Sequence, residues 1–162
     1  GIQMITIHGR TRCQFYTGRA DWPAIAQIKE AVDIPVIANG DITSAAAAET
    51  ALAASGADGV MIGRGVQGQP WLLAQIGAHL ADTPVPDTPD PATILEIVLE
   101  HYESCLTFYP KDLGHRVARK HLGWYMDRAD TDAALRQRIL TERTPASVLR
   151  LLPDALCQTE AA

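Results

Sequence analysis

Three short glycine-containing turns carry the residues of this 162-residue chain that are best suited to bind a ligand. They read His8-Gly9-Arg10-Thr11-Arg12, Asn39-Gly40-Asp41 and Gly63-Arg64-Gly65. Glycine has no Cβ, so backbone N–H groups can approach a phosphate closely, and histidine and arginine add side-chain donors. A single turn of this kind usually has no ligand-binding role. Three turns at successive strand ends instead indicate a phosphate-binding site.

Each turn follows a short apolar run that predicts a β-strand. The predicted strands cover about 4–7, 34–38 and 59–62, and the predicted helices cover about 22–32, 43 or 44 to 55, and 70–81. Apolar strands that alternate with helices indicate parallel βαβ units. Because ligands bind at the carboxyl ends of parallel strands, we expect the three turns to converge on one edge of the sheet.

The composition changes abruptly at a proline-rich stretch after the third βα unit. Pro84, Pro86, Pro89 and Pro91 lie within ten residues, and proline removes backbone donors and favours extended chain. This pattern predicts a linker over 83–91. The rest of the chain has helical spacing and no strand signal, with helices predicted at about 91–109, 112–128, 132–142 and 145–152.

A basic segment lies on the second of these later helices. Residues 111–128 carry a net charge of +3, in a chain whose formal net charge is −5. At about 100° per residue, Arg116, Arg119 and Lys120 share one arc of the helix. Such a face suits contacts with nucleic-acid phosphates, which position an RNA without reading its sequence. A solvated helix face with no partner is the alternative.

Bulk composition describes a soluble globular protein, with 47% hydrophobic and 20% charged residues. Cys13, Cys105 and Cys157 have no metal-type or CxxC spacing, which predicts free thiols in a reducing compartment and no metal site. No apolar run approaches the roughly 18–20 residues that cross a bilayer, and no signal peptide is evident. We therefore expect a cytoplasmic location and no membrane partner. The non-methionine start, almost directly in a strand, resembles a cut through a larger protein.

Four sequence segments, in this order, resemble the tRNA-dihydrouridine synthases, especially their bacterial B-type branch. They are HGRTRCQFYTGRADW, IPVIANGDI, GADGVMIGRGVQGQPWL and GHRVARKHLGWYM. The resemblance implies an α/β fold, the C-terminal part of a parallel (β/α)8 TIM barrel followed by a small all-helical domain. Residues 1–82 would form the last three βα units of an FMN-binding barrel. Residues 83–91 would be the linker, and 92–162 the helical tRNA-binding domain.

The same resemblance implies roles for individual residues. His8 would lie beside the flavin and the reduced pyrimidine, while Arg10 could reach either the flavin phosphate or RNA. The implied cofactor-binding turns hold Asn39, Gly40 and Asp41 in the first and Gly63 and Arg64 in the second. The implied RNA contacts are Arg116, Arg119, Lys120 and, as a weaker candidate, Arg12. The partner would be tRNA rather than DNA.

The implied reaction is the FMN- and NADPH-dependent reduction of uridine to 5,6-dihydrouridine in the tRNA D-loop. In this family a cysteine general acid protonates C5 of uracil while the flavin hydride goes to C6. That cysteine lies in the N-terminal half of the barrel, and none of the three cysteines here has the matching context. We therefore expect no catalytic residue in this chain, no activity from it alone, and the N-terminal half as a partner. A non-catalytic tRNA-binding or structural fragment, or another FMN-binding barrel oxidoreductase, remain alternatives.

Overall fold

The structure is a computed structural model that describes residues 1–157. These residues form two compact units. The first contains residues 1–66 and 70–87, and the second contains residues 67–69 and the chain from Thr88 onward. The main boundary between the units, at residues 87 and 88, falls within the proline-rich stretch 83–91. Along the chain, this stretch lies between the last helix of the first unit and the first helix of the second.

The first unit is built on a three-stranded parallel sheet. Its strands are β1 (Ile5–His8), β2 (Val36–Asn39) and β3 (Gly59–Met61), in the order β1-β2-β3. In the register of the sheet, His8 pairs with Asn39 and Asn39 pairs with Met61. The last residues of the three strands therefore stand side by side, and the predicted α/β organisation with a parallel sheet is confirmed.

Three helices complete this unit: α1 (Pro23–Glu30), α2 (Ala45–Ser55) and α3 (Leu72–Leu80). They pack on one face of the sheet and enclose two apolar clusters. The buried members are Ile25, Val36 and Ala38 in one cluster, and Ile42, Ala48, Ala51, Leu72 and Ile76 in the other. Because side chains alternate along a strand, Ile37 and Asn39 lie on the opposite face of β2 from this core.

Local capping explains where α2 begins and ends. The Ser44 side chain accepts from the Ala47 amide, and Gly56 ends the helix in the left-handed conformation with φ of 61°. At α1 the Asp21 side chain accepts from the Ala24 amide, and the helix begins at Pro23.

The second unit contains the helices α4 (Pro91–Phe108), α5 (Leu113–Arg128), α6 (Ala133–Thr141) and α7 (Pro145–Leu156). No strand occurs in it among residues up to 157. The sequence predicted that α7 ends near Leu152, before Pro153, but the helix continues through the proline. Pro153 removes one backbone hydrogen-bond donor from the helix. Ala155 and Leu156 beyond it are buried, and this burial of apolar side chains favours the helix. This burial stabilises the extra turn.

None of the helices within residues 1–157 combines the length and the apolar character that crossing a membrane requires. The longest of them, α4, has 18 residues. It carries the charged side chains of Glu96, Glu100 and Glu103 at helical spacing, as expected for a helix that packs on a core with one face and meets water with the other.

Candidate functional site at the carboxyl edge of the sheet

The ends of the three strands are joined by hydrogen bonds. The Gly9 amide donates to the Asn39 carbonyl at 2.9 Å, and the Asn39 side-chain amide donates to the Met61 carbonyl at 2.7 Å. Asn39 thus bridges the ends of β2 and β3. The convergence of the three predicted turns on one edge is confirmed, and Asn39 helps to fix their spacing.

His8 is exposed at the end of β1, with one ring nitrogen already used. Its Nδ1 atom accepts from the Arg10 amide at 3.2 Å. A neutral imidazole has one acceptor and one donor nitrogen, so this bond places the proton of the neutral ring on Nε2. His8 therefore offers an N–H donor at the edge of the sheet.

Arg10 does not reach outward, contrary to the expectation that it contacts a phosphate or RNA. Only 3% of its side chain is exposed. Its guanidinium donates to the Asp41 carboxylate and to the carbonyls of Thr17, at 3.2 Å, and Gly18, at 2.8 Å. The sequence could not reveal this, because Asp41 is 31 positions away along the chain. Arg10 holds the loop after β1 in place.

Asp41 is held within the protein in the same network. Its carboxylate accepts from Arg10 and from the Ala20 amide at 2.7 Å. Burial acts to raise the pKa of Asp41, but these hydrogen bonds and the charges of Arg10 and Arg64 outweigh it and hold the pKa below 3.8. An ionised carboxylate offers no donor to a phosphate, so its side chain serves to position the surrounding loops.

Gly40 and Gly63 differ in what surrounds them. Gly40 has φ of +118°, and a Cβ there would lie 2.9 Å from the Ala20 Cβ and 3.0 Å from the His8 ring. Its carbonyl accepts from the Trp22 indole at 2.9 Å. A Cβ on Gly63 would meet no described atom within 4 Å. Gly40 is therefore required by packing, whereas Gly63 leaves open space beside the chain.

Gly65 brings the last two turns together, and sequence reasoning gave it no role of its own. A Cβ on Gly65 would lie 2.3 Å from the Ile42 carbonyl oxygen. The chain after β3 can therefore lie against the chain after β2 only with glycine here. The second glycine of Gly63-Arg64-Gly65 was the available signal.

Arg64 is an exposed cation at this edge, with 55% of its side chain accessible. Its guanidinium lies 4.2 Å from the centre of the Tyr16 ring and 4.0 Å from Asp41 Oδ1. Because Arg10 already neutralises Asp41, the cluster of Arg10, Asp41 and Arg64 keeps one net positive charge. An anion such as a phosphate is the matching ligand.

The predicted RNA-contacting residues occupy different environments. Arg12 is exposed, at the start of a short 3-10 turn, Arg12–Gln14. Arg116 and Lys120 are exposed on α5. Arg119 is half-buried, and its Nη2 donates to the Glu142 carbonyl at 3.0 Å. Arg119 is therefore less accessible than its two neighbours on this arc and ties α5 to the end of α6, while the RNA-contacting role of the three residues stays a prediction.

The three cysteines are free thiols in different environments. Burial raises the pKa of the Cys105 thiol, which lies in the core between helices. Cys157 donates to the Pro91 carbonyl at 3.4 Å, and Cys13 is exposed. Residues 1–157 also contain no group of three or more histidine, cysteine, aspartate or glutamate side chains that could hold a metal ion.

Comparison with known proteins assigns the chain to a family. The family profile described as Dihydrouridine synthase (Dus) matches residues 1–160. The chain belongs to the dihydrouridine synthase family. This confirms the resemblance that the sequence motifs indicated.

Individual relatives give the extent of the match. A "Probable tRNA-dihydrouridine synthase" of Rhodobacter capsulatus is 54% identical over 162 residues, which are 100% of this chain and 49% of the relative. One of Rickettsia conorii is 51% identical over 148 residues, 91% of this chain and 45% of the relative. A "tRNA-dihydrouridine synthase B" of Xanthomonas axonopodis pv. citri is 44% identical over 154 residues, 95% and 46% respectively. The chain spans about half the length of the curated relatives it matches.

Within this chain, the HGRTR segment contains side chains in two different environments. His8 stands at the strand end with a free N–H, while Arg10, two residues later, is buried against Asp41. The motif thus provides one outward-facing group and one group that shapes the loop. Sequence alone did not distinguish the two.

Proposed function

We propose that this chain is the carboxyl-side part of a flavoenzyme that reduces uridine to 5,6-dihydrouridine in the D-loop of tRNA, with FMN as cofactor and NADPH as reductant. The observation that supports this most is the convergence of His8, the two glycine turns and Arg64 on one sheet edge, in a family named for that reaction. In this proposal, the three βα units belong to a closed (β/α)8 TIM barrel.

The residues at the sheet edge fit an FMN phosphate and ribityl chain. Gly63 leaves room for close approach of a ligand to the backbone, and Arg64 supplies an accessible positive charge. His8 offers its Nε2 proton to a flavin or ribityl oxygen. Asn39, Gly40 and Asp41 set the shape of the first turn through their bonds and packing. FMN, when bound, supplies the hydride chemistry.

The general acid of the proposed reaction lies outside this chain. Cys105 is buried with a raised pKa, and neither Cys13, directly after HGRTR, nor Cys157, at the end of α7, has the sequence context of the family's catalytic cysteine. The N-terminal half of the barrel would contribute a cysteine that protonates C5 of uracil. The chain alone would then bind cofactor or tRNA without forming product.

The helical unit and Arg12 are proposed to contact tRNA. Arg116 and Lys120 are exposed on α5, Arg119 lies beside them, and Arg12 is exposed after β1. Cationic side chains on an acidic protein can form a local phosphate-contacting surface, which would position a loop whose uridine can be extruded. A tRNA-modifying enzyme of this kind would work in the cytoplasm.

The proposal is tested with the complete protein that contains this chain. Purified protein should show flavin absorbance, and after reduction it should convert uridine to dihydrouridine in unmodified tRNA. The 162-residue chain assayed in parallel should give no dihydrouridine. Bound flavin without tRNA reduction would favour a different FMN-binding barrel oxidoreductase. Binding of tRNA without flavin would favour a non-catalytic RNA-binding protein.

A further inference from the structure

A groove of about 310 Å³ lies between α5 and α6, entirely within the second unit. Its lining is Arg119, Lys120, Gly123, Trp124, Asp127, Arg136 and Leu140. The volume is at the lower end of the range for small-ligand sites, which suits a group the size of one nucleotide. The groove includes the α5 cations Arg119 and Lys120. The sequence predicted no binding role for Arg136 or Trp124, which also line it.

The charge of the groove favours an anion. Three cationic side chains line it together with one carboxylate, that of Asp127. Arg136 holds this carboxylate with its Nε at 2.7 Å and its Nη2 at 3.2 Å, which fixes the guanidinium in one orientation. Lys120 forms no ion pair with any residue in the described part of the chain. Two cations thus remain without a carboxylate partner in the groove.

Arg119, which also lines the groove, has an unsatisfied donor. Its Nη2 donates to the Glu142 carbonyl, while its Nε is shielded from solvent and has no hydrogen-bond partner among residues 1–157. A shielded N–H of a charged group without an acceptor is unfavourable. A ligand that brings an oxygen acceptor into the groove would relieve this.

The remaining lining is apolar and shaped for close approach. A Cβ on Gly123 would lie 3.3 Å from Arg136 Nη2, so glycine lets the guanidinium lie against α5. The half-buried Trp124 indole, whose edge meets His121 with ring centres 5.1 Å apart, forms one wall. Aromatic rings beside cationic groups are the combination that binds both the bases and the backbone of RNA.

From these contacts we infer that the α5–α6 groove binds one phosphate of an RNA backbone, with the adjoining ribose or base against Trp124. The inference rests on the proposed tRNA-binding function and locates it. Lys120 and Arg136 contact the phosphate, Arg119 supplies a further donor, and Arg116 lies outside the groove. An acidic protein segment would match the charge but would not need the aromatic wall.

The test uses the complete protein, unmodified tRNA and a series of salt concentrations. The groove variant is Lys120→Gln/Arg136→Gln. The matched control, Arg138→Gln/Arg143→Gln, removes two exposed cations of the same unit that do not line the groove. The groove variant should lose affinity on the order of tenfold. Its salt dependence should flatten by about 0.7–0.9 units of log–log slope per contact. The control should keep the wild-type slope.

A third variant, Trp124→Leu, separates stacking from charge. It should weaken tRNA binding while leaving the salt slope unchanged, and circular dichroism should show that all three variants fold. Equal losses in groove and control variants, or unchanged tRNA binding by the groove variant, would overturn the inference. A parallel titration with polyglutamate should show weak binding, and Trp124→Leu should leave that binding unchanged. If Trp124→Leu weakened polyglutamate binding as much as tRNA binding, the inference would also be overturned. Wild-type protein that binds no tRNA would instead contradict the proposed function itself.

Discussion

The buried guanidinium of Arg10 donates to the carboxylate of Asp41, and this bond ties the loop after β1 to the turn after β2. Arg10 also holds the carbonyls of Thr17 and Gly18, while Asp41 holds the Ala20 amide. The shape of the proposed flavin site therefore depends on one ion pair whose partners are far apart in sequence. Its removal should affect the site without touching the ligand directly.

Asp41→Asn keeps the shape of the side chain but removes the charge that faces Arg10. We expect a loss of about 1–3 kcal/mol in the free energy of unfolding, because a buried cation then lacks its counterion. Flavin content of the complete protein should fall with it. Denaturant titration and flavin absorbance measure the two effects.

The control for this variant is Asp58→Asn, which removes the more exposed pair with Lys29. A smaller stability loss and normal flavin content are expected there, since exposed ion pairs contribute little. Equal effects of the two substitutions would show that the Arg10–Asp41 pair has no special importance for the site.

Gly40→Ala and Gly63→Ala should weaken flavin binding for different reasons. At Gly40 the new Cβ would strike Ala20 and His8 and would face an unfavourable φ of +118°, so stability and flavin content should both fall. At Gly63 the Cβ meets no described neighbour, so only flavin affinity should fall. Thermal melting and flavin titration of the complete protein distinguish the cases. Unchanged flavin affinity in Gly63→Ala would remove this turn from the site.

Gly114 allows α5 to approach α4 closely. A Cβ at this position would lie 2.3 Å from the Cys105 carbonyl oxygen, so Gly114→Ala should cost about 1–3 kcal/mol of stability through overpacking. Gly77→Ala is the matched control, because Gly77 is exposed within α3 and a Cβ added there would meet no described atom within 4 Å. That control should gain about 0.5–1 kcal/mol. Urea denaturation measures both, and a stable Gly114→Ala would contradict the close approach.

His101 and His121 should make the second unit sensitive to acid. Their rings lie 4.7 Å apart, and His101 also contacts the Tyr125 hydroxyl at 3.2 Å. Burial lowers the pKa of both, and for His121 the neighbouring His101 lowers it further. The unfolded chain, with the ordinary histidine pKa of 6.5, therefore binds protons first as the pH falls. The folded protein therefore keeps its full stability above pH 6.5 and loses stability progressively as the pH falls below that value.

The measurement is the melting temperature of the protein between about pH 7.5 and 5.5. Wild-type protein should melt at lower temperatures as the pH falls, and His101→Gln should show a weaker dependence because one titrating group is gone. Parallel curves for the two proteins would mean that this histidine pair does not control the acid response.

Sequence alone determined the features that depend on neighbours in the chain. The three strands, the helix that starts at 43 or 44 and ends near 55, and the proline-rich stretch after α3 were all predicted, because strand and helix periodicity and proline act over a few residues. The sequence segments that indicated the family were equally local, and the comparison confirmed that family. The predicted end of α7 was wrong because burial of the residues beyond Pro153 outweighed the backbone donor lost at the proline.

Tertiary structure alone decided which side chains are free to bind. In the sequence, Arg10 and Arg119 cannot be distinguished from the other arginines. In the structure, Arg10 is paired with Asp41, and Arg119 donates to the Glu142 carbonyl. Gly65 is needed only because Ile42 lies against it. Each of these depends on a partner distant in sequence, and a hydrogen bond or a close approach forms only when folding brings both groups together. The spacing of residues therefore indicated the candidate site, while packing determined which of its side chains are paired and which are exposed.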